Sequence, residues 1–194
     1  MSKFDKRSYV SRIYPDHASI KNILYRLIRS NANKELVTGA KQTEHQLGSD
    51  NRSVKEIDTL FTWIENELPN AVDELALYSG SNYFEQSQRT KVFKIAEYWG
   101  MYYLDDGSAM PHNHFPFPIC FSYYINVPEG SSPFTIEGYD VPVEEGQVIF
   151  FRGDAEHQVK PSVNRRCMIA GNVIYNPSLP KKGFKGVKNH NKGF

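Results

Sequence analysis

Beyond Gly80 the chain is written in short runs of aromatic and β-branched residues, broken at frequent intervals by proline and glycine. Such runs are strand and turn signals, because branched and ring side chains suit a pleated surface and the breakers supply the angles that end it. Candidate strands are Lys91 to Tyr103, Ile119 to Val127, Phe134 to Ile136, Gln147 to Phe151, His157 to Val159 and Arg166 to Tyr175. No helical stretch alternates with them. That excludes a parallel α/β sheet and points to a sandwich or barrel.

The first third reads differently. Ile20, Ile23, Leu24, Leu27 and Ile28 follow the spacing of one buried helix face. Residues 31 to 52 are polar and without period, which predicts a loop. Ser53 and Glu56 then form a capping box ahead of the stripe Val54, Ile57, Leu60, Phe61, Ile64 and Leu68. Pro69 is expected to interrupt this helix, and Ala71 to Tyr78 to continue it to a stop at Gly80. A chain of 194 residues, 40 % hydrophobic, supports one sizeable core. The predicted division is a helical region over 1–84 packed on a β core over 85–177, with a basic, flexible tail over 178–194.

The net charge is +1, yet Lys181, Lys182, Lys185, Lys188 and Lys192 stand in a tail without acids, leaving about −4 for the rest. Five lysines can neutralise phosphates, so weak nucleic-acid contact through the tail stands beside the plainer reading of a solubilising end. Cys120 and Cys167 lack CxxC spacing, which excludes a cysteine zinc site and a disulfide scaffold. With no apolar run long enough to cross a bilayer and no leader-like start, the expectation is a soluble cytoplasmic protein, without a membrane partner. A homodimer is compatible with the helical stripes.

His112 and His114 are two apart, so on an extended strand both leave the same face, about 7 Å apart at the backbone. His157 follows 43 residues after His114, and a short-range pair with a distant histidine is the pattern of jelly-roll metal sites. An isolated HxH often binds nothing; His157 and Arg166 give this one its weight. His17, His45 and His190 sit in polar or helical contexts and read as surface residues. Asp154 and Glu156 beside His157 read as turn residues, with a role next to the metal, or as an alternative ligand, as the other option. Arg166 opens an apolar strand, and a buried guanidinium needs an anionic partner because it cannot shed its charge. That partner is either a structural carboxylate or a small dicarboxylate whose other end chelates the metal.

With these residues in place the chain resembles the 2-oxoglutarate and iron(II)-dependent oxygenases, in the prolyl-hydroxylase-like branch and the compact oxygenases of bacteria and phages. The resemblance covers residues 85 to 176. It rests on Trp99, Tyr102-Tyr103 with Gly107, His112-Asn113-His114, Tyr123-Tyr124-Ile125-Asn126, and Gly146 to Phe151 followed by His157 and Arg166, in the family's order. It implies a mainly β fold with N-terminal helices around a double-stranded β-helix, or jelly roll. It implies a hydroxylase activity that couples oxidative decarboxylation of 2-oxoglutarate to succinate with oxidation of an unidentified substrate by dioxygen. A protein side chain, a nucleobase and a small molecule all remain open as that substrate.

Residue by residue, the resemblance implies His112 and His157 as iron ligands, with His114 where most relatives have a carboxylate. Arg166 and Tyr124 would bind the distal carboxylate of 2-oxoglutarate, Tyr102 or Tyr103 would approach its keto-acid end, and Asn172 would touch the site. Met168 stands where many relatives place a serine. Two other readings stay open: a cupin-type metal enzyme that does not use 2-oxoglutarate, and a non-catalytic metal-binding jelly-roll module. Cupins usually carry a glutamate shortly after HxH; here Phe115-Pro116-Phe117-Pro118 fills that interval.

Overall fold

The computed structural model describes residues 8–36, 38–48, 54–75, 77, 93–161 and 165–175. Two antiparallel sheets face each other, and two helices cover the outer face of the larger one. The elements run β1 (Tyr9–Ile13), α1 (His17–Asn31), β2 (Lys34–Glu35), β3 (Ala40–Gln42), α2 (Lys55–Glu74), β4 (Phe93–Tyr103), β5 (Ala109–His112) and β6 (Ile119–Asn126). They continue as β7 (Phe134–Ile136), β8 (Tyr139–Val141), β9 (Gln147–Arg152), β10 (His157–Val159) and β11 (Cys167–Tyr175). The large sheet is ordered β1-β9-β6-β11-β4-β3-β2 and the small one β5-β10-β7-β8, a jelly-roll arrangement of the double-stranded β-helix kind.

Alternation along the central strands builds two cores. Phe121, Tyr123, Val148, Phe150, Cys167 and Ile169 face the helices, whereas Cys120, Tyr124, Ile149, Phe151 and Met168 face the small sheet. Because both faces are covered, β6 and β9 read as almost continuous apolar runs rather than an apolar-polar alternation. The helix-side core is one cluster shared by α1, α2 and the large sheet. Gly100 lets α1 approach closely: a Cβ there would sit 2.7 Å from Ile28.

The expected strands are present, with β4 described from Phe93 and β11 beginning one residue after Arg166. Several expectations need correction. The segment expected to be a loop over 31 to 52 carries β2 and β3, which extend the large sheet by pairing Ala40, Lys41 and Gln42 with Tyr103, Tyr102 and Met101. Strands of two and three residues are too short to leave a period in the sequence; the edge of β4 recruits them through backbone pairing, helped by the buried Ala40 and by the Thr43 hydroxyl, which accepts from the Gly100 N–H. Strand β1 also went unsignalled, although it pairs with β9 along its whole length. Pro69 does not interrupt α2, which runs through it. A proline inside a helix costs roughly 3 kcal/mol, and here Leu68, Pro69, Ala71 and Val72 are all buried, so packing offsets it.

On α1, Ile20, Leu24 and Ile28 are buried and Ile23 is turned outward, so the buried stripe is narrower than expected. Ser53, the Gly80 stop, His190 and the lysine-rich tail lie outside the described residues. Among the described residues no helix is long and apolar enough to cross a membrane.

Candidate metal centre and anion pocket

Strand pairing brings the first two histidines together. His112 closes β5 and lies directly opposite His157, the first residue of β10, with ring centroids 4.3 Å apart. The third arrives by a different route than expected. β5 ends at His112, so His114 is not on a strand; it is presented by the following turn, where its N–H donates to the Gly153 carbonyl at 2.7 Å. Gly153 is obligatory there, because a Cβ would fall 1.9 Å from the Phe117 carbonyl oxygen as the loop crosses the β9–β10 turn. The rings of His112 and His157 both lie 5.1 Å from that of His114, and one potential ligand atom from each of the three falls within 4.8 Å of the others.

The donor chemistry fits a metal ion. His112 Nδ1 pairs with the Met110 carbonyl at 2.7 Å and His157 Nδ1 with that of Ala155 at 3.1 Å, which leaves Nε2 of each ring for a metal. Burial pushes His157 down to about 3, with the Ala155 carbonyl opposing and the neighbouring rings adding to the shift. Burial and the His112 ring hold His114 at about 4, against a hydrogen bond to Asn172. Both rings are therefore neutral and ready to donate at physiological pH. Asp154 is a turn residue, paired with Arg152 at 2.7 Å, and the metal-competent cluster consists of the three histidines.

The histidines line a cleft of about 550 Å³ between the sheets, together with Trp99, Met101, Tyr103, Phe134 and Met168. Beside its inner wall lies Arg166, 2 % exposed. Its Nη1 donates to the Ser132 carbonyl at 2.8 Å, and its guanidinium lies 4.9 Å from the Tyr103 ring centre and 5.7 Å from that of Tyr124. Among the described residues, Nε and Nη2 of Arg166 and the hydroxyl of Tyr124 are buried with no hydrogen bond of ordinary geometry, although the Tyr103 phenol approaches the guanidinium and Ser122 approaches Tyr124. Three orphaned polar groups around one fixed positive charge are costly, and an anion that accepts from them removes the cost. Burial raises the Tyr103 and Tyr124 phenols despite the Arg166 charge, so both remain neutral and Tyr124 can donate.

The two tyrosines considered for the keto-acid end separate by strand parity. Tyr103 shares the inner face of β4 with Trp99 and Met101, whereas Tyr102 faces the helices, where its hydroxyl lies 3.4 Å from that of Tyr25. Tyr102 therefore does not reach the site. Asn172 does: its Oδ1 accepts from Cys120 Sγ at 3.2 Å, and its side chain hydrogen-bonds His114. Two histidines read as unpaired surface residues have partners, although His45 is exposed as expected. His17 Nδ1 meets the Tyr123 hydroxyl at 2.8 Å on the helix side. His45 lines the cleft, stacks on Trp99 and pairs with Glu97 at 2.9 Å. No sequence spacing links His45 to Trp99, because the contact depends on β3 pairing with β4.

No protein-family model matches the chain, and no curated protein does. Solved structures match over most of its length. A prolyl 4-hydroxylase of Pseudomonas putida is 13 % identical with a TM-score of 0.62, over 87 % of this chain and 93 % of that one. A prolyl hydroxylase of Trichoplax adhaerens, in complex with a hypoxia-inducible-factor peptide fragment, is 14 % identical at 0.61, over 88 % and 85 %. SnoN, a non-haem α-ketoglutarate-dependent epimerase of nogalamycin biosynthesis, is 15 % identical at 0.59, over 90 % and 83 %. At these identities the likeness is one of fold: the chain has the double-stranded β-helix that these oxygenases share. Hydroxylases and an epimerase both use it, so the reaction has to be argued from the site.

Proposed function

We propose that this chain is a 2-oxoglutarate- and iron(II)-dependent dioxygenase that hydroxylates a substrate still to be identified. The observation that carries the reading is Arg166, a buried guanidinium with two donors that, among the described residues, lack an ordinary hydrogen bond, next to the Tyr124 hydroxyl, which lacks one too. A carboxylate is planar and accepts two parallel N–H bonds, which matches that vacant fork. The three-histidine cluster in the adjoining cleft would hold iron(II) through neutral imidazoles. A small dicarboxylate satisfies both sites at once, one carboxylate on Arg166 and Tyr124 and the opposite end toward the histidines.

What iron and 2-oxoglutarate supply when bound is oxidation of a C–H bond by dioxygen, with succinate and carbon dioxide as co-products. The chain's own residues bind, orient and exclude water. Arg166 and Tyr124 fix the distal carboxylate, and the phenol stays protonated as a donor. Phe134, Phe151, Met101 and Met168 keep the inner cleft apolar, which strengthens each polar contact made within it. The solvent-facing side of the cleft, toward Met110 and His112, is left for substrate.

Adding 2-oxoglutarate to the anaerobic iron(II) protein should produce a weak visible charge-transfer band, and admitting air should release succinate. Bound iron without such a band would sink the reading. The all-histidine donor set favours one alternative, a cupin-type metal enzyme without 2-oxoglutarate; it predicts metal-dependent chemistry that Arg166 does not influence.

A further inference from the structure

His114 has the weakest local support of the three histidines. His112 and His157 are locked by strand pairing and by Nδ1 bonds to main-chain carbonyls. His114 lies beyond the strand, and its backbone anchor at Gly153 does not fix the direction of the ring. Besides a hydrogen bond to the Asn172 side chain, what holds the ring is aromatic. The indole of Trp99 stacks on His114 with centroids 5.6 Å apart and planes 18° apart, and His157 stacks on His114 at 5.1 Å and 14°. Trp99 is in turn stacked by His45 at 5.3 Å and 18°, and His45 is held by Glu97. His45, Trp99, His114 and His157 thus form a row of near-parallel rings that runs from the cleft mouth to the metal cluster.

The polypeptide invests unusual backbone to place His45. The two residues after it, Gln46 and Leu47, both adopt left-handed angles (φ 53° and 57°), and Leu47 is fully buried. A side chain larger than glycine rarely takes such angles unless its surroundings require them. Here a buried leucine anchors a turn whose first residue caps the indole.

We propose that Trp99, backed by His45 and Glu97, is the positioning residue that makes His114 a metal ligand. Without the indole one face of the imidazole is uncovered, and the Asn172 bond and the His157 ring are left to hold it against rotation out of the cluster. The inference rests on the metal site proposed above but not on the use of 2-oxoglutarate, so cobalt(II) alone serves as the probe.

Cobalt(II) is titrated into the full chain under argon and followed by its visible d–d bands and by indole emission. In Trp99→Leu the affinity should fall by about 10- to 100-fold, the usual loss when a ligand's supporting partner is removed. The bands should take the form seen in His114→Ala, and Trp99→Phe should restore most of the affinity. Because Trp99 acts through His114, adding Trp99→Leu to His114→Ala should cost almost nothing further. Should Trp99→Leu fold poorly, His45→Ala carries the test: its side chain is more than half exposed, and its cobalt affinity should drop by about 3- to 10-fold, part of the loss expected for the indole. Unchanged cobalt binding and bands in Trp99→Leu, or equal and additive losses in the double variant, would overturn the proposal while leaving the metal site standing. Failure of the parent chain to bind cobalt would overturn both.

Discussion

Replacing Arg166 with methionine separates a structural arginine from one kept for a ligand. Among the described residues the guanidinium has a hydrogen bond to the Ser132 carbonyl and two ring faces, with no carboxylate among its partners. Losing the ring contacts costs up to about 2 kcal/mol, and losing the charged bond to the carbonyl about 1.5–3 kcal/mol. Exchanging a buried charge for a well-packed apolar side chain returns about 1–4 kcal/mol. The terms nearly cancel, so the metal-free melting free energy should change by less than about 2 kcal/mol in either direction. Co-substrate binding should not be spared. Truncating one half of a desolvated charge pair costs about 2–5 kcal/mol, which is about 30- to 4000-fold in affinity at 1.4 kcal/mol per tenfold. The assays are urea melts of the metal-free chain and anaerobic titration of 2-oxoglutarate against the charge-transfer band. A variant that unfolds, or one that binds 2-oxoglutarate as the parent does, refutes the assignment: the first makes Arg166 structural, the second makes it irrelevant to the co-substrate.

Tyr124→Phe removes a buried hydroxyl that, among the described residues, has no ordinary hydrogen bond, so metal-free stability should hold or rise slightly, while 2-oxoglutarate affinity falls by about tenfold or more, the value of a bond to a charged group; Tyr102→Phe, on the helix side, should leave that affinity unchanged. Gly153→Ala drives a methyl into the Phe117 carbonyl, so the loop holding His114 must lift; thermal melts should show a loss of about 1–3 kcal/mol and equilibrium dialysis a parallel loss of metal. His157 and His114, held at about 3 and about 4 in the folded chain, lie below the roughly 6.5 of an unfolded histidine, so the metal-free protein refuses protons that the unfolded chain accepts. Its stability should be full above about pH 6.5 and decline as pH falls toward 3; melts of His157→Asn should show a shallower decline, and an equal slope in parent and variant would contradict the burial argument.

How much of this was legible in the sequence varies with the range of the interaction that sets each feature. β4, β6, β7, β9, β10 and β11 were readable because their side chains face apolar layers, which demand aromatic and branched residues regardless of neighbours, whereas β5 and β8, four and three residues long and largely exposed, went unsignalled. His112, His157 and Arg166 were readable because imidazole and a buried guanidinium are scarce, chemically committed groups. β2 and β3 were not, since they exist through backbone pairing to β4, for which no side-chain type is required. Tyr102 and Tyr103 could have been told apart: Trp99 and Tyr103 are four apart on one strand and share a face, so Tyr102 had to look the other way. His45 was out of reach, because its stacking on Trp99 follows from the same unsignalled pairing.

The most consequential departure from the usual arrangement is also an electrostatic one. Two histidines and a carboxylate would leave an iron(II) centre with one net positive charge; three neutral imidazoles leave it with two. At the other end of the proposed co-substrate pocket Arg166 would contribute a third positive charge, and among the described residues its partners are a main-chain carbonyl and the Tyr103 and Tyr124 rings, with no carboxylate. Of the acids on this side, Glu35 lines the cleft and is paired with Lys41, and Glu97 is paired with His45. With iron bound, a cleft built this way would favour a dianion over a neutral occupant, since positive charge would then stand at both its ends. If the proposed function holds, His114 at the position where relatives place a carboxylate and Arg166 without a carboxylate partner among the described residues would express one requirement: the negative charge at this site is brought by the ligand.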